Sequence, residues 1–225
     1  MSFNHKLVPE PDKIKVETIN GTRYYILPDG TRLKSVTTIL GEKMDKSALI
    51  KWRKKVGETE AKKISSQAAH RGSALHKIAE RYVLNEDNYM SDKEMPLTRM
   101  MFNSIKPHID KNVDNILGIE LLLYNKALRT AGRTDLIAEW NGVPSVIDFK
   151  QSNKPKKEEW ILSYFLQTTI YSMMFEWTYG IKVPQIVIVM AVELEAPQIF
   201  IKDRGDYVEK VLEIFRPSVF NTQTH

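Results

Sequence analysis

The chain contains no cysteine. That one absence excludes disulfides, thiolate-bound zinc and iron–sulfur clusters, so any metal must be held by Asp, Glu or His. No apolar run approaches the roughly 18 to 20 residues of a membrane span. The opening stretch MSFNHKLVPEPDK has no apolar secretory core, nor the Arg- and Ser-rich amphipathic character of an import segment. A cytoplasmic protein, neither secreted nor membrane-bound, is expected. Internal repeats and low-complexity tracts are also missing, which excludes solenoids and arrays.

What is present is a chain of 225 residues with 42% apolar side chains, enough to bury a substantial core. Lys and Arg number 33 against 28 Asp and Glu, a formal net charge of +5 that favours a polyanionic partner without proving one. The residues IKVETINGTRYYIL form two β-rich runs around Asn20-Gly21, which predicts an N-terminal hairpin. A turn at Pro28-Asp29-Gly30 leads into RLKSVTTIL. Helical periodicity then dominates residues 46–117, interrupted by NEDNYMSDKEMP and by Pro107. From Gly118 the period returns to strand, followed by a helix near 157–179, a Val/Ile strand, a short strand and a last helix. The reading is one domain over 1–225: an N-terminal hairpin region (1–45), a helical subdomain (46–117) and a core (118–225). Its class is α/β or α+β with a mixed central sheet flanked by helices.

The passage GRTDLIAEWNGVPSVIDFK carries the chemistry. Asn141-Gly142 between two β-rich runs predicts a two-residue hairpin loop, and that register sets Asp135 opposite Asp148. Side chains alternate along a strand, so Lys150 projects from the same face as both carboxylates. Opposed carboxylates repel and need positive charge between them. A nearby lysine alone could supply it, as a structural ion pair. A divalent ion with open positions for water and phosphate could as well.

These residues resemble a known family. Gly132-Arg133-Thr134-Asp135, Val146-Ile147-Asp148-Phe149-Lys150, Gln167 and Tyr171 look like the motifs of PD-(D/E)XK nucleases of the RecB-like branch. Ser35-Val36-Thr37, and Arg71 through His76 with Glu80 one turn later, are similar to exonucleases of the mitochondrial genome maintenance type and their viral and bacterial relatives. The resemblance implies a restriction-endonuclease-like core and Mg²⁺ or Mn²⁺ on Asp135, Asp148, the Phe149 carbonyl and His76. Lys150 would position the attacking water. It also implies that Asp148 replaces the commoner Glu, and that Gln167 and Tyr171 reach toward DNA or the lysine. The missing cysteines rule out the iron–sulfur cluster of some relatives.

Further candidates surround this set. His76 and Glu80 share a helix face, so the carboxylate could orient the imidazole. Glu120 opens the strand expected beside the one bearing Asp135 and is a further candidate ligand. Arg71, Arg133, Lys154 and Lys156 are candidate DNA contacts. Trp52, set among Lys51, Arg53, Lys54 and Lys55, is a candidate to stack on a base of single-stranded DNA. The leading expectation is a metal-dependent DNA exonuclease acting on ends or single strands in genome processing, recombination, repair or replication. The alternatives are an endonuclease of the same fold or an inactive DNA-binding subunit.

Overall fold

The computed structural model describes residues 2–11 and 14–215. An eight-stranded mixed sheet is covered by helices on both faces. The hairpin strands β1 (Lys15–Ile19) and β2 (Thr22–Ile26) turn at Asn20-Gly21, both at positive φ, and β2 pairs with β3 (Arg32–Ser35). Ser35 then caps α1 (Val36–Lys43), its Oγ accepting the Thr38 N–H at 3.1 Å. The helices α2 (Ser47–Val56), α3 (Glu58–Val83) and α4 (Pro96–Asn112) follow. Pro107 does not interrupt α4, because Met101, Phe102, Ile105 and Ile109 are buried on both sides of it and hold the helix in line.

The meander consists of β4 (Val113–Asn125), β5 (Thr130–Trp140) and β6 (Val143–Ser152). β4 starts at Val113 rather than Gly118, since a bulge between Asp114 and Gly118 breaks the alternation that marks a strand in sequence. The Asn141-Gly142 loop joins β5 to β6 with φ of 53° and 76°, the mirror-image turn that suits the twist of a hairpin. After a 3-10 turn at Glu158–Trp160 come α5 (Leu162–Tyr179), β7 (Gln185–Val192), β8 (Gln198–Asp203) and α6 (Gly205–Phe215). β7 lies parallel to β6, and β8 is antiparallel to β7.

Alternating side chains sort the strands between two cores. Leu136, Ala138, Ile147 and Phe149 pack with Leu75, Ile78, Phe102 and Ile105 of α3 and α4. Ile137 and Val146 pack on the other face with Leu166, Ile170 and Met174 of α5. The N-terminal segment straps the β4 bulge from outside. Lys6 N donates to Ile116 O at 2.8 Å, Val8 N to Leu117 O at 2.9 Å, and Ile116 N to Asn4 O at 2.8 Å. No helix among the described residues is long and apolar enough to cross a membrane.

Candidate active site

A fork in the sheet creates the site. One edge of β5 pairs with β4 along most of its length. On the other edge, β6 pairs only with Leu136–Trp140, while β3 pairs only with Thr130 and Ala131. Residues 132–135 of β5 therefore face a gap between two strands. The Asp135 carboxylate fills it, Oδ2 accepting the Phe149 N–H at 2.8 Å where a ladder bond would otherwise lie.

The β4–β5 register sets Glu120 across from Asp135, between the pairs Ile119–Leu136 and Leu121–Thr134. Glu120 has φ +45°, a left-handed conformation that costs a non-glycine residue backbone strain. Arg133 supports it, Nη1 donating to the Glu120 carbonyl at 2.5 Å. The guanidinium expected on DNA is thus engaged with the backbone that shapes the site. Burial, then Asp135 and then Glu80, push the Glu120 carboxyl up to about 7.

His76 on α3 completes the group. Its Nε2 lies 2.6 Å from the Phe149 carbonyl, which can only accept, so Nε2 carries the proton. Nδ1 then faces Asp135 Oδ1 at 3.5 Å. Between a nitrogen lone pair and a carboxylate this approach is repulsive unless a proton or a metal ion sits there. Ligand atoms of His76, Glu120 and Asp135 all lie within 4.8 Å of one another, and the three could hold a metal ion. The donor set of imidazole and oxygen atoms suits a hard or borderline divalent cation. Glu80 does not orient His76; it lines a cleft of about 270 Å³ with Glu120 and Arg133, and the Phe149 carbonyl has taken the expected orienting role.

Asp148 departs from the expected arrangement. It is 2% exposed and forms an ion pair with Lys150, and its Oδ1 accepts from Gln167 Nε2 at 3.0 Å. It is not one of the three residues whose ligand atoms converge, and its carboxylate is engaged by Lys150 of β6 and Gln167 of α5. Burial raises the Asp148 carboxyl and the charge on Lys150 opposes that shift. Burial also works against the Lys150 charge, but Asp148 and Asp135 outweigh it and hold the ammonium above its ordinary range. The Lys150 Nζ lies 5.0 Å from the centre of the Tyr164 ring, a cation–π contact.

The remaining candidates divide. Tyr171 is 3% exposed and packs against Gly132, where a Cβ would come within 2.5 Å of the Tyr171 hydroxyl oxygen. Its expected contact with DNA is therefore replaced by a packing role. Arg71 Nη2 donates to Asn153 Oδ1 at 2.7 Å, tying α3 to the loop that leaves β6. Lys154 is exposed on that loop, and Gln198 clasps the Lys156 backbone at 2.7 and 3.0 Å. Trp52 is half-buried on α2. Two contributors were missed in sequence: Tyr164, and Gln151, whose Nε2 donates to Ala68 O at 3.0 Å. Tyr164 was findable, since 164, 167 and 171 fall on one helix face; Gln151 carries no local signal.

The fold is thus a mixed α/β sheet forked at a carboxylate, with an imidazole and a second acid converging on it and a partly buried lysine alongside, a centre that could hold a cation. The sequence matches the PD-(D/E)XK nuclease superfamily over residues 59–198, and the chain belongs to that superfamily. It is 27% identical over 177 residues to the human (Homo sapiens) mitochondrial genome maintenance exonuclease 1, covering 73% of this chain and 51% of that protein. The mouse (Mus musculus) protein of the same name is 29% identical over 131 residues, covering 55% and 38%. The chain thus spans about half the length of the human relative and less of the mouse one. A solved putative exonuclease from Eubacterium rectale overlays 65% of this chain and 64% of its own, at 12% identity and a TM-score of 0.46.

Proposed function

We propose that the chain is a divalent-metal-dependent deoxyribonuclease that removes nucleotides from DNA ends, with Mg²⁺ or Mn²⁺ as its cofactor. The observation that carries this reading is the convergence of His76, Glu120 and Asp135 within 4.8 Å, beside the Lys150–Asp148 pair. In this reading His76, Glu120 and Asp135 hold the ion, with Asp148 and the Phe149 carbonyl as further oxygen donors beside them. When bound, the ion neutralises charge on the scissile phosphate and makes a coordinated water more acidic.

The chain's own groups do the rest. Lys150, kept charged by Asp148 and Asp135, orients the attacking water and meets the charge that develops on phosphate oxygen. Gln167 holds the Asp148 carboxylate toward that ammonium. Lys154, Lys156 and Arg71, on and beside the loop leaving β6, neutralise the backbone of the bound strand. The family and the exonuclease names of the relatives support action on DNA with a free end, in genome processing, repair or recombination.

The test is digestion of 5′- and 3′-labelled linear DNA and covalently closed single-stranded circles, with and without Mg²⁺ or Mn²⁺, by the wild type and Lys150→Ala. Loss of linear DNA only, dependent on metal and on Lys150, is expected. Cleavage of circles would replace the exonuclease by an endonuclease. Binding without hydrolysis in either metal would leave a DNA-binding subunit.

A further inference from the structure

Beside the catalytic group, between α1, the start of α2 and the start of α5, lies a cleft of about 330 Å³. Its walls are largely apolar, from Leu40, Met44, Leu49 and Tyr164, with the exposed Lys46 alongside. Two lining residues also belong to the catalytic group. Gln167 donates to Asp148, and the Tyr164 ring lies under the Lys150 ammonium. Whatever occupies the cleft is therefore in contact with residues that touch the reacting groups.

Gly41 is the second observation. It lies within α1, does not have positive φ, and a Cβ built on it meets nothing within 4 Å. Glycine inside a helix is destabilising relative to alanine, and neither backbone conformation nor close packing requires it here. Its remaining consequence is that α1 presents no side chain to the cleft at this position.

We propose that the cleft is a subsite for one unpaired nucleobase of the DNA strand whose phosphodiester is held at Lys150, an inference that rests on the nuclease reading. An almost wholly apolar slot, lined also by Thr37, Ser163 and Gln167, accepts the face of a flat neutral heterocycle. A phosphate would lose its hydration there without charge to replace it. Lys46 neutralises a flanking phosphate, and the apolar walls make the subsite tolerant of base identity. A base in this slot must have left its stack and its partner, so the strand is single at the point of cleavage.

The experiment fills the cleft from the helix surface with Gly41→Leu and uses Gly41→Ala as a control that leaves it open. Binding is read by fluorescence anisotropy, with calcium in place of magnesium. The probes are a labelled thymidine oligonucleotide and an abasic oligonucleotide of equal length. Gly41→Leu weakens binding of the thymidine strand by about five- to a hundredfold, the range of one lost base contact, and leaves the abasic strand unchanged. Gly41→Ala binds both as the wild type does. Unaltered thymidine binding by Gly41→Leu, or equal weakening of both strands, overturns the subsite. Parallel digestion in Mg²⁺ separates the two readings: base-dependent binding without hydrolysis removes the nuclease assignment, and hydrolysis without base-dependent binding removes the subsite.

Discussion

The Asp135 carboxylate accepts the Phe149 N–H at 2.8 Å, so a side chain on β5 takes the place of the backbone carbonyl that would bond β6. The same residue therefore supports the fork and faces His76 and Glu120. Asp135→Ala should both abolish hydrolysis and loosen the fork, whereas Asp135→Asn, which keeps an oxygen acceptor for that N–H, should abolish hydrolysis and retain most stability. Circular dichroism melts beside a labelled-strand assay distinguish the two, and activity in Asp135→Asn would remove the residue from the chemistry.

Lys150 is only 16% exposed and pairs with a carboxylate that is 2% exposed. Removing one member of a buried pair typically costs about 3–5 kcal/mol because the other charge is left uncompensated. Lys150→Ala should lower the melting temperature as well as eliminate cleavage. The double variant Asp148→Asn/Lys150→Met should regain much of that stability and no activity; equal melting of the single variant and the wild type would show that the pair is not electrostatically coupled.

His76 bonds only to a carbonyl and faces a carboxylate, and its side chain is about a third exposed, so its loss should cost little stability. His76→Ala should fold normally and bind Mn²⁺ at least about tenfold more weakly, as expected for a residue at or beside a metal. Isothermal titration with Mn²⁺ measures this directly. Unchanged affinity would show that the imidazole is not a ligand.

The Glu120 carboxyl is raised to about 7 in the folded chain. Between its unfolded value and that figure the folded state binds the extra proton, so metal-free stability is full at low pH and falls as pH rises through about 7. In the proposed reading Mg²⁺ takes the place of that proton, so the melting temperature should rise more with Mg²⁺ at pH 8 than at pH 6. Glu120→Gln should flatten the metal-free pH profile, and an unchanged slope would assign the effect to another group.

Gly132→Ala places a carbon 2.5 to 3.0 Å from the hydroxyl and ring atoms of a Tyr171 that has no room to retreat. Overpacking of this kind costs about 1–3 kcal/mol. A melting temperature equal to the wild type would mean that the α5 helix yields more readily than its packing suggests.

The hairpin was legible because Asn141-Gly142 is a local signal, and the ladder from Leu136–Ile147 to Trp140–Val143 has the register that the two-residue loop dictates. The side-chain arrangement at the fork was legible only in part. That Asp148 turns to Lys150 and Gln167 depends on where α5 docks, a contact set by packing across the sheet rather than by neighbours in sequence. Glu120 was named from strand adjacency, but its left-handed backbone and the bulge before it follow from contacts with the N-terminal segment and Arg133. Tyr171 shows the reverse failure: its spacing from Gln167 was informative, yet spacing does not tell an exposed tyrosine from one sealed against a glycine.

The segment that straps the β4 bulge bonds the strand a few residues before Glu120, and its Leu7, Val8 and Glu10 line the same cleft as that carboxylate. A protease nicking near Lys6 would therefore reach two places at once: it would release the backbone prop upstream of Glu120 and free Phe3 from its seat against Tyr82 in the core.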